Sequence, residues 1–206
     1  MHFASKVPLA LTALRALLAP VLILLAWKAP NPGAFGVCLS VAFLSDVFDG
    51  IIARRLGIAT ADLRRFDSAA DTVFYLAAAG AAWLLYPDVI RRHWVALAAL
   101  GILELARYLF DLVKFGREAS YHMWSSKVWG VFLFVGFFCL LALGQKGILV
   151  VLPIYLGVIA DAEGLLISWV LPEWQSDVPS IVHAMRMRTM KRCARQAEVP
   201  EPCEPC

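Results

Sequence analysis

"SDVFDGIIARRLGIATADLRRFDSAADTVFYLA", residues 45–77, places Asp46, Asp49, Asp67 and Asp71 at the facing ends of two runs apolar enough to be membrane helices. An aspartate at the centre of a bilayer costs ~2.5–3.5 kcal/mol on insertion scales, and four close together also repel one another unless something positive neutralises them. Their spacing indicates a purpose. With 100° of rotation per residue, Asp46, Asp49, Gly50 and Ala53 fall in one sector of a helix, and Asp67 and Asp71 lie one turn apart on the next. Two such faces can converge.

The surroundings of this stretch follow from composition. Of the 206 residues, 61% are hydrophobic and 17% charged, and the mean hydropathy is +0.71. A soluble domain has roughly 45–50% apolar and 25% charged residues, so the chain reads as an integral membrane protein. Apolar stretches near the ~20 residues needed to cross a bilayer occur at 8–27, 34–54, 67–86, 93–113, 128–145 and 148–170. The expected fold is all-α with six transmembrane helices, because no ten-residue alternation suggests a barrel and backbone groups in lipid must pair internally. The first stretch is read as a span, since it has no small-residue cleavage site before Lys28.

Basic residues orient the bundle. With the N-terminus inside, thirteen Lys and Arg collect on one face, among them Arg54, Arg55, Arg64, Arg65 and the tail cluster Arg186–Arg195, against Lys28, Arg91, Arg92 and Lys146 on the other. Both termini and the aspartate stretch are therefore expected on the cytoplasmic side of a cell inner membrane. Only Arg15 and Arg107 remain within spans. Residues 1–171 form the expected transmembrane domain. Residues 172–206 form a tail that opens with a short basic amphipathic helix, capped by Asp177 or Ser180, suited to the headgroup level, and end in a disordered segment beyond Pro200.

Carboxylates meeting from two helices make an all-oxygen cage suited to Mg²⁺ or Mn²⁺, and two such ions are the usual arrangement for displacement at phosphorus. Gly50 and Ala53 lack bulk, so a ligand can approach the backbone, and Arg54, Arg55, Arg64 and Arg65 supply phosphate-pairing charge. No cysteine or histidine stands in the stretch, which argues against zinc. Elsewhere, Cys38 and Cys139 read as small core residues, and the terminal "CEPC" is a single metal-type pair without a second. His2, His93, His122 and His183 have no carboxylate or serine at a catalytic spacing, and the tryptophans and tyrosines near span ends form an aromatic belt rather than a base-stacking surface. Nucleic-acid binding has no support.

"DVFDGIIAR" followed by "DSAAD" resembles the signature of the CDP-alcohol phosphatidyltransferases, D-x-x-D-G-x-x-A-R-x8-G-x3-D-x3-D, here Asp46, Asp49, Gly50, Ala53, Arg54, Asp67 and Asp71. The departure is Leu63, which stands where that family has its second glycine. Upstream, "VPLALTALRALLAP", residues 7–20, is similar to the opening of the phosphatidylglycerophosphate synthase branch at Pro8, Thr12, Arg15 and Pro20, with Leu9 in place of asparagine.

The resemblance implies transfer of a phosphatidyl group from CDP-diacylglycerol, or a related CDP-alcohol, to the hydroxyl of a small polar alcohol such as glycerol 3-phosphate, with release of CMP. It implies two Mg²⁺ or Mn²⁺ ions on Asp46, Asp49, Asp67 and Asp71, with Asp71 also the catalytic base. It assigns Gly50, Ala53, Arg54, Thr60, Leu9 and Thr12 to the CDP-alcohol, and it implies a homodimer. For the acceptor, the residues themselves offer Arg107, Lys114, Arg117 and Lys127. Each has an alternative: Arg107 can pair with Glu104 or Asp111 on its own helix, and Lys127 can snorkel at a helix end. Asp161 and Glu163 in the last span can pair with Arg15 or Arg107, or shape the acceptor cleft. Two readings compete with the enzyme. An ion or proton transporter would distribute its acids through the bilayer depth, and an inactive family member would be marked by Leu63.

Overall fold

A computed structural model describes residues 7–56, 61–117, 121, 123–175 and 178–197. Every regular element among them is helical: α1 (Val7–Lys28), α2 (Pro32–Leu56), α3 (Ala61–Leu85), α4 (Pro87–Arg92), α5 (Trp94–Phe115), α6 (Trp124–Phe137) running into a π-helical turn (Phe138–Ala142), α7 (Ile148–Val170) and α8 (Ile181–Ala197). Five of these segments are long and apolar enough to cross a membrane: Val7–Lys28, Pro32–Ile52, Phe66–Leu85, Trp124–Ala142 and Ile148–Val170. The expected fourth span corresponds to α5, a helix of full spanning length that carries Glu104, Arg107, Asp111 and Lys114 and falls outside those five. The short α4 was not expected. It starts because Pro87 suits the first turn of a helix, and it stops at His93 after a single basic-ended turn.

The chain divides into two compact units, residues Met1–Trp94 with Phe132–Leu152, and Val95–Val131 with Pro153–Cys206. In the first unit α1 packs on both α2 and α3, and the π-helical turn packs on α2. Small side chains set the spacing: Ala78, Ala81 and Ala82 on α3 are buried, and a Cβ on Gly80 would already meet Ile23 Cδ1 at 3.0 Å. Leu22, Phe35, Leu39, Phe74, Leu140 and Leu141 fill the remaining core, and Phe43 stacks on Phe134 with centroids 4.3 Å apart. The π turn contributes three consecutive buried residues, Cys139, Leu140 and Leu141, to this core. Its wider winding turns more side chains toward one side than an α-helical turn does, and Gly144, at φ 64°, takes the chain out of it.

Large apolar side chains face outward, Leu17, Leu24, Val37, Leu76 and Trp83 among them. Such a surface matches hydrocarbon rather than water. Near helix ends, Trp27, Trp94, Trp124 and Trp169 are exposed in the manner expected of an aromatic belt. Outside the spans, Lys146 Nζ donates to Asp88 Oδ2 at 2.7 Å, and this bond holds the Asp88 carboxyl below its ordinary range. A depressed carboxyl stabilises the fold above its unfolded pKa of ~3.9, and that contribution is lost as the pH falls through the folded value. An NMR titration should find Asp88 back in the ordinary range in Lys146→Met.

The second unit has its own core of Met123, Ile167, Leu171, Val178 and Ala184. Its helix ends are tied by side chains distant in sequence. Lys114 Nζ donates to the terminal α7 carbonyls of Ser168 (2.7 Å) and Trp169 (3.0 Å), satisfying acceptors that no helical N–H reaches. At the start of α8, Glu163 Oε1 accepts from the Ile181 N–H at 3.3 Å, placing a carboxylate at a helix N-terminus. Of the two expected caps, Asp177 lies outside the described residues, and Ser180 Oγ turns to His183 Nδ1 at 3.0 Å while the Ser180 carbonyl accepts from the His183 and Ala184 N–H groups. His183 thus meets Ser180 in a local contact of the helix start.

Gly157 is required by close packing. A Cβ there would stand 2.8 Å from both Leu100 Cδ1 and Trp129 Nε1, and the Trp129 indole is fixed by donating to the Pro153 carbonyl at 2.9 Å. Gly157→Ala should lower stability by about 1–3 kcal/mol, the usual cost of overpacking, read as a fall in the thermal midpoint of the detergent-solubilised protein.

Candidate active site: four carboxylates on one guanidinium

The site forms in the first unit where α1, α2 and α3 meet. One face of α1 is buried along its length, with Pro8, Thr12, Arg15, Ala19, Leu22 and Ala26 at helical spacing. Five of these pack as apolar or small groups, and Arg15 carries a full charge into the same contact. It is 1% exposed. Asp46 and Asp49 project from the second half of α2, and Asp67 and Asp71 from the first half of α3.

All four converge on Arg15. Its Nη1 donates to Asp46 Oδ1 at 2.9 Å and to Asp71 Oδ1, and its Nη2 donates to Asp49 Oδ2 and Asp67 Oδ1. Each of the four Nη–H groups thus has its own carboxylate, whereas the buried Nε–H has no hydrogen-bond partner among the described residues. Thr12 Oγ1 lies 3.4 Å from Asp67 Oδ1 and closer, at 3.1 Å, to the Pro8 carbonyl of its own helix. Asp49 is buried, while Asp46, Asp67 and Asp71 keep about a third or more of their side chains open, at 45%, 31% and 32%.

This arrangement answers what a cation site needs. Asp46, Asp49 and Asp67 each offer a carboxylate oxygen, and the three oxygens lie within 4.8 Å of one another. Four carboxylates and one guanidinium leave a formal deficit of three positive charges, and the donors are hard oxygens of the kind Mg²⁺ and Mn²⁺ take. The residues present fit such an ion. Asp71 stands outside the close trio and is joined to it through the shared guanidinium.

The other expected site residues divide by location. Gly50 follows Asp49 on α2, and Leu9 and Thr12 are on the first turns of α1, Leu9 exposed and Thr12 buried. Thr60 lies outside the described residues, as do the side chains of Ala53, Arg54, Leu63, Arg64 and Arg65. Cys203 and Cys206 of the CEPC pair also lie outside them.

The four acceptor candidates belong to the second unit, and each already has a partner there. Arg107 Nη2 donates to Glu104 Oε1 at 2.6 Å and its Nε stands 3.5 Å from Asp161 Oδ1, under Gly164, where a Cβ would come within 2.9 Å of Arg107 Cδ. Lys114 caps α7, Arg117 stacks on Trp174 at 4.6 Å, and Lys127 lies over Trp124 at 4.9 Å. Asp161 is thus placed against Arg107, and Glu163 against the start of α8.

The residue that sequence reasoning placed least well is Arg15. It was legible as a cation within a span and as part of the opening motif, and a buried charge in lipid implies an opposite charge nearby. By sequence Asp161 and Glu163 are candidates to pair with it, and its partners in the fold are the four aspartates.

A profile of the CDP-alcohol phosphatidyltransferase family matches residues 5–168. The chain belongs to that family. The match takes in α1 with Arg15, both aspartate pairs and α7 as far as Ser168, and it ends before α8. No curated protein and no solved structure matches the chain. Membership makes the protein a membrane transferase of phosphate-containing groups, acting in phospholipid head-group transfer between a CDP-alcohol donor and an alcohol acceptor.

Proposed function

We propose that the protein transfers a phosphatidyl group from CDP-diacylglycerol to the hydroxyl of a small polar alcohol, with glycerol 3-phosphate the first candidate, and releases CMP. The convergence of Asp46, Asp49, Asp67 and Asp71 from two neighbouring helices supports this reading, because those residues carry the family signature in register. In the reaction the acceptor oxygen forms a bond to the phosphatidyl phosphorus, the bond from that phosphorus to the CMP oxygen breaks, and the hydroxyl proton leaves to a base. Asp71 takes that proton, being a carboxylate outside the close trio yet adjoining it. Asp46, Asp49 and Asp67, with Asp71, hold Mg²⁺ or Mn²⁺. When bound, such ions stabilise negative charge on the attacking and departing oxygens.

Gly50 and Ala53 leave room for the cytidine diphosphate, Arg54 and Thr60 bind it, and Leu9 and Thr12 line the donor side at the first turns of α1. Six spans, counting α5, with the site and both termini on the cytoplasmic side of the inner membrane, give the diphosphate of the lipid access to a soluble acceptor. The transmembrane domain is residues 1–171, followed by the basic tail, and the working form is a homodimer. Purified protein supplied with CDP-diacylglycerol, Mn²⁺ and a panel of alcohols tests the reading by the lipid formed. Absence of any product lipid across the panel would remove it.

For the acceptor we assign Arg107, Lys114, Arg117 and Lys127. A phosphate would have to draw Arg107 from two carboxylates and Lys114 from two carbonyls, whereas Arg117 and Lys127 face aromatic rings. A cation–π contact at an exposed site is worth only ~0.5–1 kcal/mol, so Lys127 exchanges partners at little cost. Lys127→Ala should raise KM for a phosphorylated acceptor about tenfold, the loss of one charge-assisted hydrogen bond of ~1.5 kcal/mol, and leave KM for an uncharged alcohol unchanged.

A further inference from the structure

Arg15 has four carboxylate partners and lies deep in a helix interface where a lone guanidinium would be costly. Its four Nη–H groups occupy one oxygen each of Asp46, Asp49, Asp67 and Asp71. Those are the groups assigned above to a divalent cation. A guanidinium among them and a divalent cation on them would be like charges at close range in a medium of low dielectric. Sharing is therefore disfavoured. Geometry points the same way, because among the described residues the Nε–H has no hydrogen-bond partner while the Nη groups hold the acids, so these contacts do not satisfy the whole fork.

We propose that Arg15 is an exchangeable internal counter-ion: it neutralises and gathers the four aspartates in the metal-free protein and yields them to an incoming divalent cation. The exchange rests on the reading of the aspartates as a cation site. It makes Arg15 a positioning residue, acting through the carboxylates. Two consequences follow from the pairing. Without Arg15 the metal-free acids repel one another, and without Arg15 the cation has no competitor. The exchange also releases Asp71, whose Oδ1 accepts from Arg15 Nη1, for the proton transfer assigned to it.

The test uses the full-length protein in detergent, stripped of metal by a chelator that is then removed. Mn²⁺ binding is followed by the electron paramagnetic resonance of free Mn²⁺, and the thermal midpoint is recorded with and without Mn²⁺. In Arg15→Gln the metal-free midpoint should fall, Mn²⁺ should bind roughly tenfold more tightly than in the wild type, a change of the magnitude that replacing a partner of metal-binding side chains has on affinity, and the Mn²⁺-induced rise in midpoint should be larger. Arg15→Lys keeps the charge without the fork and should lie between the two. Should Arg15→Gln fold poorly without metal, preparation in Mn²⁺ should restore its yield, and the affinity comparison then rests on Arg15→Lys. A fixed structural role predicts the opposite order: weaker or unchanged Mn²⁺ binding in both variants overturns the exchange while leaving the cation site in place. Failure of the wild type to bind either Mn²⁺ or Mg²⁺ removes the cation reading and the exchange with it.

Discussion

Asp71→Asn should reduce CMP release by about 10³-fold or more while leaving the protein folded. A general base contributes typically 10²–10⁴-fold, and Asp71 is assigned metal binding in addition, so its amide loses proton acceptance and a charged ligand together. The amide is nearly isosteric with the carboxylate, and its oxygen can still accept from Arg15 Nη1, so helix packing at the α1–α3 contact is kept. The measurement is CMP released by wild type and variant at matched protein, together with their thermal midpoints and elution in detergent. A variant that keeps its midpoint and still turns over would remove Asp71 as the base. Asp49→Asn is a useful companion, because Asp49 is the most buried of the four and belongs to the close trio. It should lose Mn²⁺ affinity as well as rate.

Metal removal should have an effect of the same order. With EDTA in excess, CMP release should fall to background, and Mg²⁺ or Mn²⁺ should restore it. Three hard oxygens within 4.8 Å of one another, on a site three positive charges short of neutrality, hold such ions through charge as well as through ligand type. Loading should also stabilise the fold, by ~2.7 kcal/mol at a cation concentration one hundred times the Kd, so the thermal midpoint provides a reading independent of turnover. Full activity in EDTA, with no change of midpoint on adding either ion, would overturn the metal-dependent mechanism.

Much of the fold was legible in the chain. Five of the six expected spans correspond to helices apolar enough to cross a membrane, and the last, 148–170, matches α7 to the residue. The boundaries slipped where charge or capping intervenes. Helix α3 begins at Ala61, six residues before the expected span, since a helix can continue past the hydrocarbon edge through polar residues such as Arg64 and Arg65. Helix α6 begins at Trp124 and passes into a π turn that ends at Ala142, short of the expected 145, because Gly144 at positive φ closes it. The fourth expected span, α5, falls outside the apolar five because it carries four charged residues, some of whose partners lie on α7.

The partners of the acceptor cations show where local reading stops. The i,i+3 pairing of Arg107 with Glu104 was foreseen from spacing, whereas its approach to Asp161 required two helices to meet over Gly164. Lys114 is a candidate for the acceptor by sequence, and in the fold its ammonium satisfies two carbonyls 54 and 55 residues away.

By itself the sequence determined the solvent the protein lives in, the helical class and which carboxylates share a face, because hydrophobic length and the 100° step are local properties of the chain. Only the tertiary structure decided what neutralises those carboxylates. Three helices had to pack before one guanidinium on α1 could reach four acids on α2 and α3, and no spacing along the chain encodes that meeting, since it depends on which buried faces fit one another.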